Sequence, residues 1–189
     1  MDSANLATQT YSTIFFLLGY MAVGKTTIGK ILAGKIGARF VDLDHEIETI
    51  YHRPVSNIIT TEGESVFRQV EHNILTNVIR IAQSEPQHIH VIALGGGTPC
   101  FFDNMTTLKT AGRTVWLKAD ATTIAQRLSS TEWGSRPLAP IHDGVISISH
   151  LSQHILKRTP YYSQADIHID TDHLSPYEIT DTLSQKMLL

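Results

Sequence analysis

A glycine-rich segment with a lysine and two threonines lies close to the start of the chain. It reads GYMAVGKTT from residue 19 to residue 27, and its first eight residues match the pattern G-x-x-x-x-G-K-[ST]. Glycines permit backbone turns that direct several N–H groups at one anion, and the following helix adds its positive end. Lys25 can reach the β- and γ-phosphates of a nucleotide, and the Thr26 hydroxyl can ligate Mg²⁺. An apolar run precedes the segment and an amphipathic pattern follows it, so we predict a nucleoside triphosphate site.

Two carboxylates follow the second apolar run, in the segment VDLDHEIE. Asp42 and Asp44 are two residues apart, so both would project from the same side of an extended strand. One carboxylate could hold the water shell of Mg²⁺, and the other could accept a proton from a substrate hydroxyl. The alternative is an aspartate that caps a helix beginning near His45. Next to a phosphate-binding loop, the catalytic interpretation is favoured.

An arginine stands between two glutamates in the segment GESVFRQVE. Arg68 lies four residues after Glu64 and three before Glu71, so the three share one face of a helix. The spacing alone favours a surface ion pair, worth about 0.3–0.5 kcal/mol. The alternative is that the two carboxylates hold the guanidinium as a fixed fork for the carboxylate of a substrate.

Three consecutive glycines and two further arginines complete the candidate set. Gly95, Gly96 and Gly97 follow an apolar run, and a run of three glycines carries a large conformational-entropy cost. We therefore expect ligand atoms to approach this backbone where any Cβ would collide. Arg136, in the segment SRPLAP, and Arg158, in KRTPYY, could neutralise phosphate charge, although each could equally be a solvated surface residue.

Apolar runs alternate with helical patterns along most of the chain. The runs predict strands at residues 13–19, 38–44, 88–94, 113–119 and 166–170, and the helical patterns include residues 25–36 and 64–82. Such alternation predicts a parallel sheet with helices on both faces, and ligands bind at the carboxyl ends of its strands. Segments 45–72 and 129–145 interrupt the pattern, and we expect them to act as a substrate clamp and a lid.

Composition narrows the class of protein. The chain has 189 residues, enough for one domain, and a net charge of −3, which gives no general attraction to nucleic acid or anionic membranes. Cys100 is the only cysteine, which excludes an internal disulfide and fits a reducing cytosol. No run approaches the roughly 20 apolar residues of a membrane span. Motifs of guanine-binding proteins, transporter ATPases and helicases are missing, so small-molecule phosphoryl transfer is the leading class.

In this order, the segments resemble the shikimate kinase family. They are GYMAVGKTTIGK, FVDLDHEIE, GESVFRQVE, ALGGG, RPLA and KRTPYYSQAD. The resemblance covers about residues 14 to 186. The phosphate-binding loop alone is generic, whereas its combination with D-x-D, FRxxE, GGG and RPL is specific.

The resemblance implies an α/β fold, a three-layer P-loop NTPase of the nucleoside-monophosphate-kinase type. Its sheet would have five parallel strands in the order 2-3-1-4-5, flanked by helices. Residues 1–189 would form a single kinase domain, with a P-loop core at 13–44, an acceptor-binding insertion at 45–72 and a lid at 129–145. The reaction would transfer the γ-phosphoryl of ATP to the 3-hydroxyl of shikimate, with Mg²⁺ as cofactor. The partners would be ATP and shikimate, with no nucleic acid or membrane, and we expect a cytoplasmic monomer.

The resemblance also implies roles for particular residues. Lys25, Asp44 and Arg136 would be catalytic, and Thr26 and Asp42 would serve the metal, with Asp42 acting through water. Shikimate would be bound by Asp44, Arg68, Gly95, Gly96, Gly97 and Arg158, with Glu71 holding Arg68 in place. ATP would be bound by Gly19, Met21, Ala22, Val23, Gly24, Lys25, Thr26, Thr27, Arg127 and Arg136.

Two positions depart from the family pattern. Ala22 stands where the family usually has glycine, which is tolerable if the local φ is negative. Ser129 stands near the place of an arginine that stacks on adenine in many members, and we expect Arg127 to substitute for it.

Two rival functions stay open at this point. A gluconate kinase of the same fold also phosphorylates a hydroxylated carboxylate, although the glycine triplet and FRxxE argue against it. A catalytically silent nucleotide-binding module would predict loss of Lys25, Thr26 or Asp42, and all three are present.

Overall fold

The computed structural model describes residues 13–129, 141–142 and 145–187. Its strands are β1 Ile14–Leu18, β2 Arg39–Asp42, β3 His90–Ala93, β4 Arg113–Lys118, β5 Ile141–His142, β6 Val145–Ile146 and β7 Ile167–Asp170. Its helices are α1 Lys25–Ile36, α2 Leu43–Tyr51, α3 Val55–Glu62, α4 Glu64–Gln83, α5 Asn104–Ala111, α6 Ala121–Ser129, α7 Ile148–Tyr162 and α8 Pro176–Met187. A short 3₁₀ turn covers Thr98–Cys100.

Five strands form one parallel sheet in the order β2-β3-β1-β4-β7. The predicted order 2-3-1-4-5 is therefore confirmed, because β5 and β6 pair only with each other, as a short antiparallel ribbon. All five residues of β1, IFFLL, are buried, as an uninterrupted apolar run predicts for a strand covered on both faces.

The core lies in two layers, one on each face of the sheet. Alternate residues of β1 separate into them, with Phe16 and Leu18 on one side and Phe15 and Leu17 on the other. The first layer is closed by residues of α2, α3, α4 and α5, and the second by residues of α1, α6 and α8. The sheet is therefore packed between two layers of helices, and these layers fix the position of the carboxyl ends of its strands.

The second strand is shorter than predicted. It ends at Asp42, and α2 begins at the next residue, so Asp44 lies in the first turn of a helix and not on a strand. The Asp42 side chain accepts hydrogen bonds from the backbone nitrogens of Asp44 and His45, at 3.1 and 3.4 Å. Capping these otherwise unpaired N–H groups ends the strand two residues early. The expectation that both carboxylates project from one side of a strand is wrong.

The two predicted insertions have different outcomes. Segment 45–72 is helical, and it contains most of α2, all of α3 and the start of α4. The predicted lid, 129–145, lies for the most part outside the described residues, and Arg136 lies wholly outside them. In the described part of the chain, no helix combines the length and the apolar character needed to cross a bilayer.

Candidate active site

A cavity of about 830 Å³ opens at the carboxyl ends of the parallel strands. It is lined by almost every predicted site residue that the structure describes, namely Met21, Ala22, Val23, Gly24, Lys25, Thr26, Thr27, Asp42, Asp44, Arg68, Gly95, Gly96, Gly97, Arg127 and Arg158. Gly19 is not among the lining residues. A Cβ there would collide with the carbonyl oxygen of Leu117, so this glycine lets the loop leave β1 beside β4. Segments far apart in the sequence therefore meet around one space.

The phosphate-binding loop connects β1 to α1 and is closed by its own lysine. Lys25 Nζ donates hydrogen bonds to the carbonyl oxygens of Gly19 and Tyr20, at 2.9 and 3.0 Å. Ala22 has φ 60°, in the left-handed region. The condition of a negative φ is therefore not met: the loop keeps the turn that glycine would allow, and the alanine carries the strain.

Thr26 and Asp42 lie side by side where α1 begins and β2 ends. Thr26 Oγ1 donates to Asp42 Oδ2 at 2.6 Å. A hydroxyl and a carboxylate beside a phosphate-binding loop are the oxygen ligands that Mg²⁺ prefers. The described residues contain no group of three or more His, Cys, Asp or Glu side chains that could hold a metal ion.

Asp44 has an altered acidity. Solvent reaches it through the cavity, yet the surrounding protein limits the hydration of its carboxyl, and this raises its pKa to about 6. The negative charges of Glu71 and Asp42 contribute to the same rise, and the positive charge of Lys25 opposes it. A carboxyl with this pKa is ionised at neutral pH but binds a proton more readily than an ordinary aspartate, which suits a group that handles the proton of a hydroxyl.

Arg68 is buried, and the surface ion pair that the spacing favoured is wrong. Its exposed fraction is 4%, and that of Glu71 is 0%. Arg68 Nη1 donates to Glu71 Oε2 at 2.8 Å, and Nη2 donates to Glu64 Oε1 at 2.9 Å. Thr98 Oγ1 donates to the other oxygen of Glu71 at 2.6 Å. The guanidinium is thus fixed by a buried network at the cavity wall, where it can bind an anion.

The glycine triplet gives the site's own side chains room. A Cβ on Gly95 would lie 2.5 Å from Glu71 Oε1, and one on Gly97 would lie 2.5 Å from Arg68 Nη2. None of the three glycines has a positive φ, so their conformation alone does not require glycine. The collisions expected for a Cβ at this backbone are therefore with the protein's own Glu71 and Arg68, and the approach of a ligand to the triplet stays a prediction. Gly95 and Gly97 thus leave room for the side chains of Glu71 and Arg68.

The two remaining arginines line the cavity from other elements. Arg158, on α7, lies with its guanidinium carbon 5.0 Å from the centre of the Tyr20 ring. Arg127, on α6, donates to the carbonyl oxygens of Val23 and Thr171, at 3.1 and 3.0 Å. Arg127 therefore joins the phosphate-binding loop to the segment after β7.

Sequence reasoning missed several apolar lining residues. Leu174, Pro176 and Ile179, which follow β7, line the cavity, and so do Val55, Ile59 and Phe67 of α3 and α4. The signal for the first group was available, because segments after the strands of a parallel sheet line its ligand crevice. For the second group, the predicted clamp at 45–72 indicated the region but not the side chains.

The fold and the cavity define a P-loop kinase that acts on a small molecule. A family model described as Shikimate kinase matches residues 21–188. The chain belongs to the shikimate kinase family.

Individual relatives agree with this assignment. The chain is 39% identical over 159 residues to a shikimate kinase of Parabacteroides distasonis, which covers 84% of this chain and 88% of the relative. A crystal structure of shikimate kinase from Bacteroides thetaiotaomicron superposes with a TM-score of 0.81 at 33% identity, covering 93% and 98% of the two chains. Shikimate kinase from Acinetobacter baumannii in complex with shikimate gives a TM-score of 0.81 at 29% identity, covering 93% and 92%.

Proposed function

We propose that this chain transfers the γ-phosphoryl group of ATP to the 3-hydroxyl of shikimate, giving shikimate 3-phosphate and ADP in aromatic amino acid biosynthesis. The observation that carries the proposal is the convergence on one cavity of a triphosphate-binding loop, a carboxyl of altered pKa and two arginines. Shikimate carries one carboxylate and several hydroxyls, and these groups match the arginines and Asp44.

The nucleotide would lie along the loop between β1 and α1. Backbone N–H groups of the loop and the ammonium of Lys25 would bind the phosphates, and Thr26 with Asp42 would hold Mg²⁺, the latter through water. The bound ion would neutralise charge on the phosphates. Arg127 would contribute to the nucleotide site, and Leu174 and Pro176 give the same cavity apolar surface for an adenine base.

The acceptor would bind at the opposite end. Arg68 and Arg158 would bind the carboxylate, and Gly95, Gly96 and Gly97 would line the pocket of the ring. Asp44 would orient the 3-hydroxyl and take its proton as the oxygen forms a bond to the γ-phosphorus and the bond to the β-phosphate oxygen breaks. Positioning and charge neutralisation supply most of the rate in such transfers.

We also propose roles for the two insertions. The segment 45–72 would form the wall for the acceptor, which the positions of Val55, Ile59 and Phe67 support. The segment 129–145 would act as a lid, and Arg136 would reach from it to the transferring phosphoryl, as the family resemblance implies. We expect a cytoplasmic monomer that binds no nucleic acid, and light scattering of the purified protein would measure its mass in solution.

The test is an ADP-release assay with Mg-ATP and three conditions: shikimate, gluconate and no acceptor. We expect ADP release to depend on shikimate, with shikimate 3-phosphate identified by mass spectrometry. Activity with gluconate alone would reject the proposal in favour of the rival kinase. Binding of ATP without turnover on either acceptor would favour the silent module.

A further inference from the structure

Tyr20, inside the phosphate-binding loop, is hydrogen-bonded to helix α7. It is 3% exposed, and its hydroxyl oxygen lies 2.6 Å from His154 Nδ1. The two rings meet edge to face, with their centres 5.8 Å apart and their planes at 86°. Burial raises the pKa of the Tyr20 hydroxyl to about 12, although Arg158 opposes the change, so the phenol keeps its proton and donates. Burial, followed by the charge of Arg158, lowers the pKa of His154 and favours the neutral imidazole, whose Nδ1 accepts from the phenol in the tautomer with its proton on Nε2.

Arg158 contacts the same tyrosine from one helical turn further along α7. Its guanidinium carbon lies 5.0 Å from the centre of the Tyr20 ring, within cation–π distance. On another side stands the Gly96 backbone, where a Cβ would lie 3.2 Å from Arg158 Nη1. The fully buried Tyr162 donates its hydroxyl to the Gly96 carbonyl and also hydrogen-bonds Arg158. The guanidinium is therefore held between two tyrosines and the glycine backbone.

This arrangement controls the orientation of the guanidinium plane. An arginine binds a carboxylate through two parallel hydrogen bonds only when its planar fork faces the carboxylate, and stacking on an aromatic ring fixes that plane. The Tyr20 ring can fix the plane only if it is fixed itself. The hydrogen bond from its hydroxyl to His154 supplies that restraint, and it comes from the helix that carries Arg158.

We propose that Tyr20 and His154 are positioning residues for recognition of the acceptor carboxylate. The hydrogen bond between them holds the Tyr20 ring, and the ring holds Arg158 in the orientation that binds the carboxylate. This inference rests on the proposed function, because it takes Arg158 as a ligand of shikimate. In this proposal neither residue contacts the reacting atoms. Changes to Tyr20 or His154 should therefore affect acceptor binding and leave the transfer step unchanged.

The test separates KM from kcat in three variants. Tyr20→Phe keeps the ring and removes the hydroxyl, and His154→Leu removes the acceptor. We expect each to raise the KM for shikimate about fivefold, the effect of one typical hydrogen bond, with kcat and the KM for ATP changed by less than about twofold. His154→Asn retains an oxygen that can accept from Tyr20, and we expect it to restore most of the acceptor affinity.

Two controls on the same helix match these changes. Tyr161→Phe and His150→Leu make the same kinds of change at exposed residues of α7 outside the Tyr20–His154 pair. We expect both variants to keep the wild-type kcat and KM values. In the double variant Tyr20→Phe/His154→Leu, the KM for shikimate should equal that of either single variant, because both remove one shared bond. Thermal unfolding of each variant verifies that the fold is intact.

The possible outcomes distinguish failure of the positioning role from failure of the proposed function. If the wild-type protein neither binds nor phosphorylates shikimate, the proposed function fails. If the wild-type protein is active and the two single variants keep its KM for shikimate, only the positioning role is overturned. Equal increases in the KM for ATP and for shikimate would also overturn it, because they would indicate a general disturbance of the loop.

Discussion

Asp44 combines two properties in one side chain: solvent reaches it from the cavity, and its pKa is raised to about 6. We expect Asp44→Asn to lower kcat by a factor of about 10² to 10⁴, because the amide cannot accept the proton of the acceptor hydroxyl. The Kd for ATP should change little, since in our proposal Lys25, Thr26 and the loop amides bind the nucleotide and Asp44 does not. Stopped-flow or coupled assays measure the first quantity and calorimetry the second. A normal kcat would remove Asp44 from the mechanism.

The raised pKa of Asp44 also affects stability. A folded-state pKa above the unfolded value of 3.8 means that the protonated carboxyl favours the fold, and this contribution is lost as the pH rises through about 6. Above this pH the folded protein must hold an ionised carboxylate that burial disfavours, whereas the side chain of asparagine carries no charge. We therefore expect Asp44→Asn to increase the free energy of unfolding more at pH 8 than at pH 5, as urea titrations at both values would show. Equal effects at both pH values would contradict the raised pKa.

Ala22 shows backbone strain at a functional loop. Its φ of 60° is a conformation that glycine adopts more readily than alanine. We expect Ala22→Gly to stabilise the protein by about 1 kcal/mol. The matched control is Ala125→Gly within α6, which should destabilise by about 0.5–1 kcal/mol. Urea unfolding measures both, and changes of the same sign would contradict the strain at Ala22.

At the scale of elements, the glycine triplet lets β3 end against the buried arginine of α4. We expect Gly97→Ala to raise the KM for shikimate, because its Cβ would lie 2.5 Å from Arg68 Nη2 and displace the guanidinium. Gly34→Ala on α1 is the control, since a Cβ there meets nothing within 4 Å. It should leave the KM unchanged and stabilise the helix by about 0.5–1 kcal/mol. Unchanged acceptor kinetics in Gly97→Ala would show that Arg68 can shift without loss.

The sequence predicted the elements well where one local signal decided them. The buried strand β1, the loop with Lys25 and helix α1 follow from an apolar run, a glycine pattern and a helical period, and all three are present as expected. The end of β2 was misplaced because a capping aspartate resembles the last residue of a strand until its hydrogen bonds are seen.

Burial was the quantity that spacing could not supply. Arg68 and its glutamates have the spacing of a surface pair, and only the packing of α4 against the glycine turn makes Arg68 and Glu71 buried. The contact of Tyr20 with His154 joins residues 134 positions apart, so no local pattern could reveal it.

At the scale of the whole molecule, we propose that the single cavity binds its two ligands at separate ends. A nucleotide at a hundredfold excess over its Kd should stabilise the fold by about 2.7 kcal/mol and raise the unfolding temperature by about 5–10 °C. We expect Lys25→Met to lose the shift caused by Mg-ATP and keep the shift caused by shikimate. Arg158→Met should show the reverse. Differential scanning fluorimetry measures both, and loss of both shifts in either variant would mean that the two ends are not separable.

Lys25 orders the phosphate-binding loop through contacts within the protein. Its ammonium bridges two carbonyl oxygens at the start of the loop, so the first residue of α1 is tied to the end of β1. In our proposal, a bound polyphosphate would give the ammonium charged partners within a turn that these two hydrogen bonds hold. Because contacts within the protein order this turn, less of the nucleotide's binding free energy would be spent on ordering it.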